Sequence, residues 1–301
     1  MARASYLEDI CKSSLNRVPD ASRVPFRWTV NPYRGCTHSC HYCFARAFHR
    51  YLDLGPGEDF SSKIVVKTNV VDVLRCELAS PKWEGEHVAM GTATDPYQHC
   101  EGRYRLTRGV LAALADFENP MSMLTKSTMV IRDLDQFRRL AAVTDVALSM
   151  SVGTLDESVR KVVEPGTPPG RRRLEILQRF ADAGIRTGVL VAPLLPGLTD
   201  DDEHIDEVLE ACAEAGVSWA SGIVLHVRPG IREHFMPWVE RTYPWLYPRY
   251  VELYGSRAYA PKAYQEEIAE RFARLRLRHG IGSGGRVVSK DRGARQLALA
   301  V

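Results

Sequence analysis

Short β-branched runs alternate with helix-periodic segments from residue 26 to residue 227, and this alternation restricts the fold more than any other feature of the chain. Strand-like runs fall at Phe26–Asn31, Ile64–Lys67, Val88–Thr92, Met121–Thr125, Val146–Val152, Thr187–Ala192 and Ile223–Val227. Helical spacing occupies Val70–Ala79, Thr107–Phe117, Leu134–Ala142, Arg171–Ala183 and Asp200–Ala215. The last helix is punctuated at both ends. Thr199 is placed to cap it, Asp200–Glu203 load its first turn with negative charge, and Gly216 follows its end. Strands that alternate with helices pair in parallel through right-handed crossovers, so the predicted fold is a barrel-like or doubly wound α/β sheet. Functional groups then gather at the carboxyl ends of the strands. In VALSMSVGT, Ala147, Ser149 and Ser151 share one face at period two, while Val146, Leu148 and Met150 share the other. Small polar side chains on an inward face leave room for a ligand.

The pattern changes after Pro229 to an aromatic and proline-rich stretch, FMPWVERTYPWLYPRY, followed by a helix over about residues 261–279 and a glycine-rich basic end. The expected organisation is an N-terminal extension over residues 1–23, a core over 24–228, and a C-terminal helical appendage with a flexible basic tail over 229–301. With 301 residues, 45% hydrophobic and 26% charged, the chain can bury a large core, which excludes disordered and fibrous classes. No stretch reaches the roughly 18 apolar residues that span a bilayer, and the N-terminus lacks the apolar core of an export signal. The expected location is therefore cytoplasmic, with no membrane partner. Residues 271–301 hold eight Lys/Arg against one Asp within a net charge of +3, so the rest of the chain is slightly acidic. Such an end either contacts phosphates or is a solvated helix face with a tail.

Seven cysteines, an odd number without an export signal, argue for reduced thiols or metal ligands rather than disulfides. Three of them, Cys36, Cys40 and Cys43, crowd the segment NPYRGCTHSCHYCFAR at spacing C-x3-C-x2-C, just after the first strand. A structural zinc site takes four protein ligands, which His38 or His41 would have to complete here. A redox dithiol needs only two cysteines. A [4Fe-4S] cluster held by three thiolates keeps one iron free of protein ligands, and chemistry can occur at that iron.

This motif, with Tyr42 and Phe44 flanking Cys43, resembles that of the radical S-adenosylmethionine (SAM) enzymes. The segments KIVVKTN, GTATDPYQ, RYRLTRG, LTKS and VLVAPLLPGLTD extend the resemblance to the spore-photoproduct-lyase-like branch, particularly its actinobacterial members, over about residues 24–228. The resemblance implies a partial (β/α)6 barrel with strands near residues 28, 89, 123, 148, 190 and 225, and Ile64–Lys67 as an accessory strand. It also implies a [4Fe-4S] cluster on Cys36, Cys40 and Cys43, SAM as cosubstrate, and an electron donor such as flavodoxin or ferredoxin. SAM would be cleaved reductively to a 5′-deoxyadenosyl radical that abstracts hydrogen from a substrate, so binding groups matter more than a catalytic triad.

Thr92, Thr94 and Asp95 at the strand end GTATDP stand where the SAM amino group would be gripped. Lys126 stands where the branch has a lysine for the SAM carboxylate, and Ser149 or Ser151 matches a serine that contacts the methionine or ribose part. Arg228 or His226, at the end of the last strand, is in reach of substrate, the other reading of His226 being a buried histidine satisfied by backbone. Thr92 aligns with the cysteine that donates hydrogen in the lyase, and Phe44 with an aromatic of its radical relay, so repair by that route is not expected here. Cys100 is the substitute donor within the same segment. Cys11, Cys76 and Cys212 are scattered and do not make a second cluster. The expected substrate is DNA or another nucleic acid. The rivals are radical modification of a peptide or small molecule, and a zinc-stabilised nucleic-acid-binding protein without catalysis. Gln296–Leu299, QLAL, resembles the peptides that bacterial DNA-processing proteins insert into the sliding clamp, with Ala300 where an aromatic would be expected.

Overall fold

Parallel pairing is what the computed structural model shows; it describes residues 4–19 and 24–284. Six strands, Trp28–Val30, Val88–Met90, Met121–Thr125, Val146–Ser151, Arg186–Leu194 and Trp219–Val224, lie side by side in sequence order with every pair parallel. Helices Val70–Leu78, Leu106–Asp116, Leu134–Val143, Gly170–Asp182 and Asp202–Glu214 make the crossovers. This is the α/β architecture of a partial (β/α)6 barrel. The strand Val146–Ser151 is buried throughout, as a parallel strand covered on both faces must be. Beneath the helices, Phe137 and Phe180 meet edge to face at 5.1 Å, and each fully buried ring contributes about 1.5–3 kcal/mol.

Lys63–Lys67 stays outside this sheet. It forms a separate three-stranded sheet with Ser5–Asp9 and Tyr33–Arg34, and so is accessory to the barrel. The described part of residues 1–23, expected as an N-terminal extension, is built into both sheets. Ser5–Asp9 pairs with Lys63–Lys67, and Leu15–Arg17 joins the edge of the main sheet antiparallel to Trp28–Val30.

The C-terminal segment also packs on the main sheet. The helix Lys262–Arg278 packs on the last core strand, where Gly222 leaves space for the Phe272 ring: a Cβ there would lie 2.7 Å from it. Gly282–Ser283 then adds a final parallel strand to the same edge. Arg271 and Arg274 bind Asp202, and Arg278 and His279 bind Asp206, while Arg276 donates to Ile281 O, so most of the described basic end is paired with the acidic helix beside it. That part is not a free phosphate-binding face. Gln296–Leu299 lies outside the described residues.

Several boundaries differ from the sequence reading, two of them with a visible cause. The last core strand is Trp219–Val224 rather than Ile223–Val227, because Gly188 opposite Trp219 lets the indole lie flat across the neighbouring strand. The cap of Asp202–Glu214 is Asp201, whose side chain accepts from His204 N at 2.9 Å. Thr199 instead accepts from Leu195 N in the turn before. Among the described residues no helix is long and apolar enough to cross a membrane.

Candidate active site at the carboxyl ends of the strands

The cysteine loop opens at Gly35, whose φ of 77° and close approach to the Phe60 carbonyl admit no side chain. Its backbone is then tied down along its length. Cys36 N donates to Phe60 O at 2.9 Å, Thr37 N to Gln98 Oε1 at 3.0 Å, and His41 N to Val163 O at 3.0 Å. Gly166 N donates to His38 O at 3.0 Å, and a Cβ on Gly166 would stand 2.5 Å from Thr37 O, so glycine allows the turn after Val163 to lie against the loop. From inside, the Arg46 guanidinium donates to Ser39 O at 3.1 Å and Cys40 O at 2.9 Å.

The outer side of the loop is covered by the aromatic stretch, which folds as two helices, Arg232–Thr242 and Tyr247–Tyr254. His41 stacks on Trp238 at 4.5 Å and bonds His234 at 3.2 Å, while Cys40 and Tyr42 join an apolar cluster with Phe235 and Tyr250. Shielding of the thiols thus comes from residues expected to lie apart from the core.

Cys36, Cys40 and Cys43 line one cavity with about 990 Å³ of empty space, open mouth included. Burial pushes all three thiols above their ordinary range, and Asp95 adds to the effect at Cys36 and Glu164 at Cys40. Such thiols become thiolates when a metal centre replaces their protons. Among the described residues, no three His, Cys, Asp or Glu side chains gather closely enough to hold a single ion. His38 turns to Asp95 at 3.3 Å and His41 to His234, so neither completes a tetrahedron with the cysteines. Thiols spread along one wall fit a cluster, in which each thiolate binds a different iron.

The strand ends supply the rest of the wall. Thr92 lines the cavity and accepts from Asn31 Nδ2 at 3.1 Å. Thr94 donates to the Gly35 carbonyl at 2.5 Å, linking its strand end to the loop. Asp95 also lines the cavity, but its carboxylate is already engaged: Thr125 Oγ1 and Lys126 N donate at 2.7 Å and Tyr97 N at 2.9 Å. Burial would raise the Asp95 pKa, yet His38 and these donors hold it below the ordinary carboxylate range. Asp95 knots two strand ends together.

Lys126 lies above the Tyr42 ring, donates to Ser151 Oγ, and pairs with Glu164 at 3.4 Å. Ser151 lines the cavity and donates to Ala192 O at 2.9 Å. Ser149 is buried and is not part of the cavity wall. Cys100 is also away from the wall. Its thiol packs with Tyr33, Ile64 and Val66, and burial raises its pKa to about 12. At the mouth His226 joins Phe44, while Arg228 bonds the Tyr259 hydroxyl.

Sequence reasoning missed the group behind this wall. Glu164 accepts from Tyr42 OH, pairs with Arg173 at 2.6 Å and with Lys126, and is itself 4% exposed. Arg173, 1% exposed, also donates to the Ser151 carbonyl at 2.7 Å. Burial alone would raise the Glu164 pKa, but Arg173 and Lys126 more than reverse that and hold the carboxylate charged. Arg173 sits in the run RRR, which reads as solvated, and Glu164 in EPGT, which reads as a turn. The helical period does place Arg173 on the face of Leu177 and Phe180, whereas no period or spacing marked Glu164.

A three-cysteine loop at the carboxyl end of the first strand, set in a parallel α/β sheet above a polar-edged cavity, defines a class that sequence comparison also reaches. The Radical SAM superfamily matches residues 30–212, and the chain belongs to that superfamily. It is a radical SAM enzyme, and its cofactors are a [4Fe-4S] cluster and SAM. A protein of Mycobacterium bovis described as uncharacterised is 45% identical over 282 residues, 94% of this chain and 83% of its own length. A Pseudomonas phage M6 protein named Radical SAM Nalpha-GlyT isomerase is 26% identical over 216 residues, 67% of this chain and 43% of its own length. The fold is shared with spore photoproduct lyase. The structure of that lyase with a dinucleoside spore photoproduct has a TM-score of 0.65 at 17% identity, over 92% of this chain and 80% of the lyase.

Proposed function

We propose that this radical SAM enzyme acts on a nucleic acid, with Cys36, Cys40 and Cys43 as cluster ligands and with Lys126 and Ser151 holding SAM. When bound, the cluster and SAM supply one-electron reductive cleavage to a 5′-deoxyadenosyl radical. The reduction requires an electron donor, for which a flavodoxin or ferredoxin has the appropriate chemistry. The protein orients the groups and excludes water. Lys126 offers an ammonium to the SAM carboxylate, and Ser151 presents its hydroxyl beside it.

The substrate reading rests on the cavity mouth. Phe48, Phe44, His226 and Tyr259 form a continuous aromatic file with ring centroids 6.1, 6.4 and 5.6 Å apart. The Arg228 guanidinium lies 5.4 Å from the Tyr259 ring. Phe44, on the cavity wall, and Tyr259, beside His226, are each 43% exposed, so both rings are accessible. Aromatic faces interleaved with a cation suit unstacked bases beside a phosphate backbone. The basic C-terminal helix adds little to the reading, since three of its arginines, Arg271, Arg274 and Arg278, are paired with Asp202 and Asp206.

Among the described residues, the thiols lining the cavity are the three assigned to the cluster. With Cys100 away from the wall, this supports a reaction that does not return hydrogen from a cysteine. The test is fluorescence polarisation of single-stranded and duplex oligonucleotides against anaerobically reconstituted protein, with Phe44→Ala and Tyr259→Ala alongside. Loss of one stacked base costs about 1–3 kcal/mol, or roughly 5- to 150-fold in Kd. Absence of binding, with 5′-deoxyadenosine production stimulated by a peptide instead, would replace this reading with the peptide-modifying one.

A further inference from the structure

Arg46 is a cation enclosed without a carboxylate. It is 1% exposed, and its guanidinium donates to four carbonyl oxygens: Ser39 at 3.1 Å, Cys40 at 2.9 Å, Pro56 at 2.9 Å and Gly57 at 2.8 Å. The Phe60 ring covers it at 4.9 Å. Other buried arginines are neutralised locally, Arg173 by Glu164 and Arg160 by Glu157. Among the described residues no ion pair joins Arg46 to a carboxylate. Carbonyl dipoles satisfy its donors but not its net charge, and a guanidinium stays protonated in proteins. Arg46 is instead tied to the cysteine loop, donating from its guanidinium to Ser39 O and Cys40 O and from its backbone N–H to Cys43 O at 3.2 Å, so it sits against the loop whose thiols become thiolates on binding a cluster; the same three cysteines oppose the effect of burial on Arg46.

We propose that Arg46 is the built-in counter-cation of the iron-sulfur cluster, holding its reduction potential up by charge and its loop closed by the carbonyl fork. The two effects rest on different properties of one side chain. The charge acts on the cluster through a weakly polar interior, whereas the planar fork bridges two carbonyls of the cysteine loop to two of the segment Pro56–Gly57. Arg46 contacts no substrate, so it is a positioning residue. The inference rests on the assignment of Cys36, Cys40 and Cys43 as ligands.

That assignment is checked first: wild-type protein must show a [4Fe-4S] signal that Cys36→Ala, Cys40→Ala and Cys43→Ala each abolish. If it does not, the ligand assignment fails independently of Arg46. The variants Arg46→Gln and Arg46→Lys are then reconstituted, and the midpoint potential of the cluster-loaded fraction is read by electron paramagnetic resonance during titration with a chemical reductant. A unit charge removed from within roughly 12 Å, at an effective dielectric constant near 20, disfavours reduction about tenfold. That is about 59 mV in the negative direction for one electron. Arg46→Gln is expected to show this shift and faster iron loss to a chelator. Arg46→Lys is expected to keep the potential while losing iron faster, because charge remains and the fork does not. A merely structural arginine would give faster iron loss in both with no change of potential. That result, or an unshifted potential in loaded Arg46→Gln, overturns the proposal.

Discussion

Replacing Glu164 with glutamine removes a single charge from the centre of the buried network and should be among the most destabilising isosteric changes in this protein. The carboxylate is 4% exposed and faces four donors: Tyr42 OH, Lys126 Nζ, Arg173 Nη2 and Thr167 Oγ1. A carboxamide keeps one acceptor oxygen and turns an NH₂ toward groups that are themselves donors. Arg173 is left charged and 1% exposed without its counter-ion. Breaking a buried pair from one side costs about 3–5 kcal/mol. For a chain of 301 residues that corresponds to a fall of roughly 5–8 °C in Tm. Urea unfolding and thermal melts of anaerobically prepared protein measure the loss, and Arg173→Met and the double variant complete a cycle. The double variant should lose less than the two singles together, because it leaves neither charge stranded. The pH dependence has a definite sign. Because the folded-state pKa of Glu164 lies below the ordinary 4.5, its stabilisation is complete above that pH and declines as pH falls toward the depressed value. The gap between wild type and Glu164→Gln should therefore be constant near neutrality and narrow below about pH 4.5. A loss under about 1 kcal/mol for the single change, or strictly additive effects in the cycle, would refute the account, since exposed pairs behave that way.

Gly166→Ala places a methyl group 2.5 Å from the Thr37 carbonyl oxygen, forcing the cysteine loop and the turn after Val163 apart. Such overpacking costs about 1–3 kcal/mol, and iron bound per chain should fall with it. Unchanged iron content would show that the contact does not shape the loop. Asp201→Ala removes the side chain that accepts from His204 N and should cost about 1 kcal/mol in unfolding free energy, whereas Thr199→Ala should leave the helix start unaffected in hydrogen exchange.

How much of this was legible beforehand depends on the physical range of each signal. Met121–Thr125 and Val146–Ser151 could be read because their own side chains prefer an extended backbone and a buried face. Trp219–Val224 was placed four residues late, because its first residues, WASG, are small or bulky in no regular order. What makes them a strand is the bare backbone of Gly188 across the sheet. Similarly, nothing within residues 5–17 shows that these segments will complete two different sheets, since an edge strand owes its place to a partner far along the chain.

The three cysteines, their spacing and their place after the first strand were determined by the sequence alone, because residue type and loop length are local properties. The tertiary structure decided what surrounds them. Arg46, Glu164 and Arg173 are ordinary charged letters whose meaning comes from burial, and burial is imposed by segments far apart in the chain. Folding put Ser151 rather than Ser149 on the cavity wall and left Cys100 outside it. It also carried Trp238 back over the cysteine loop. Electrostatic strength depends on distance and on the exclusion of water, and both exist only once the chain has closed on itself.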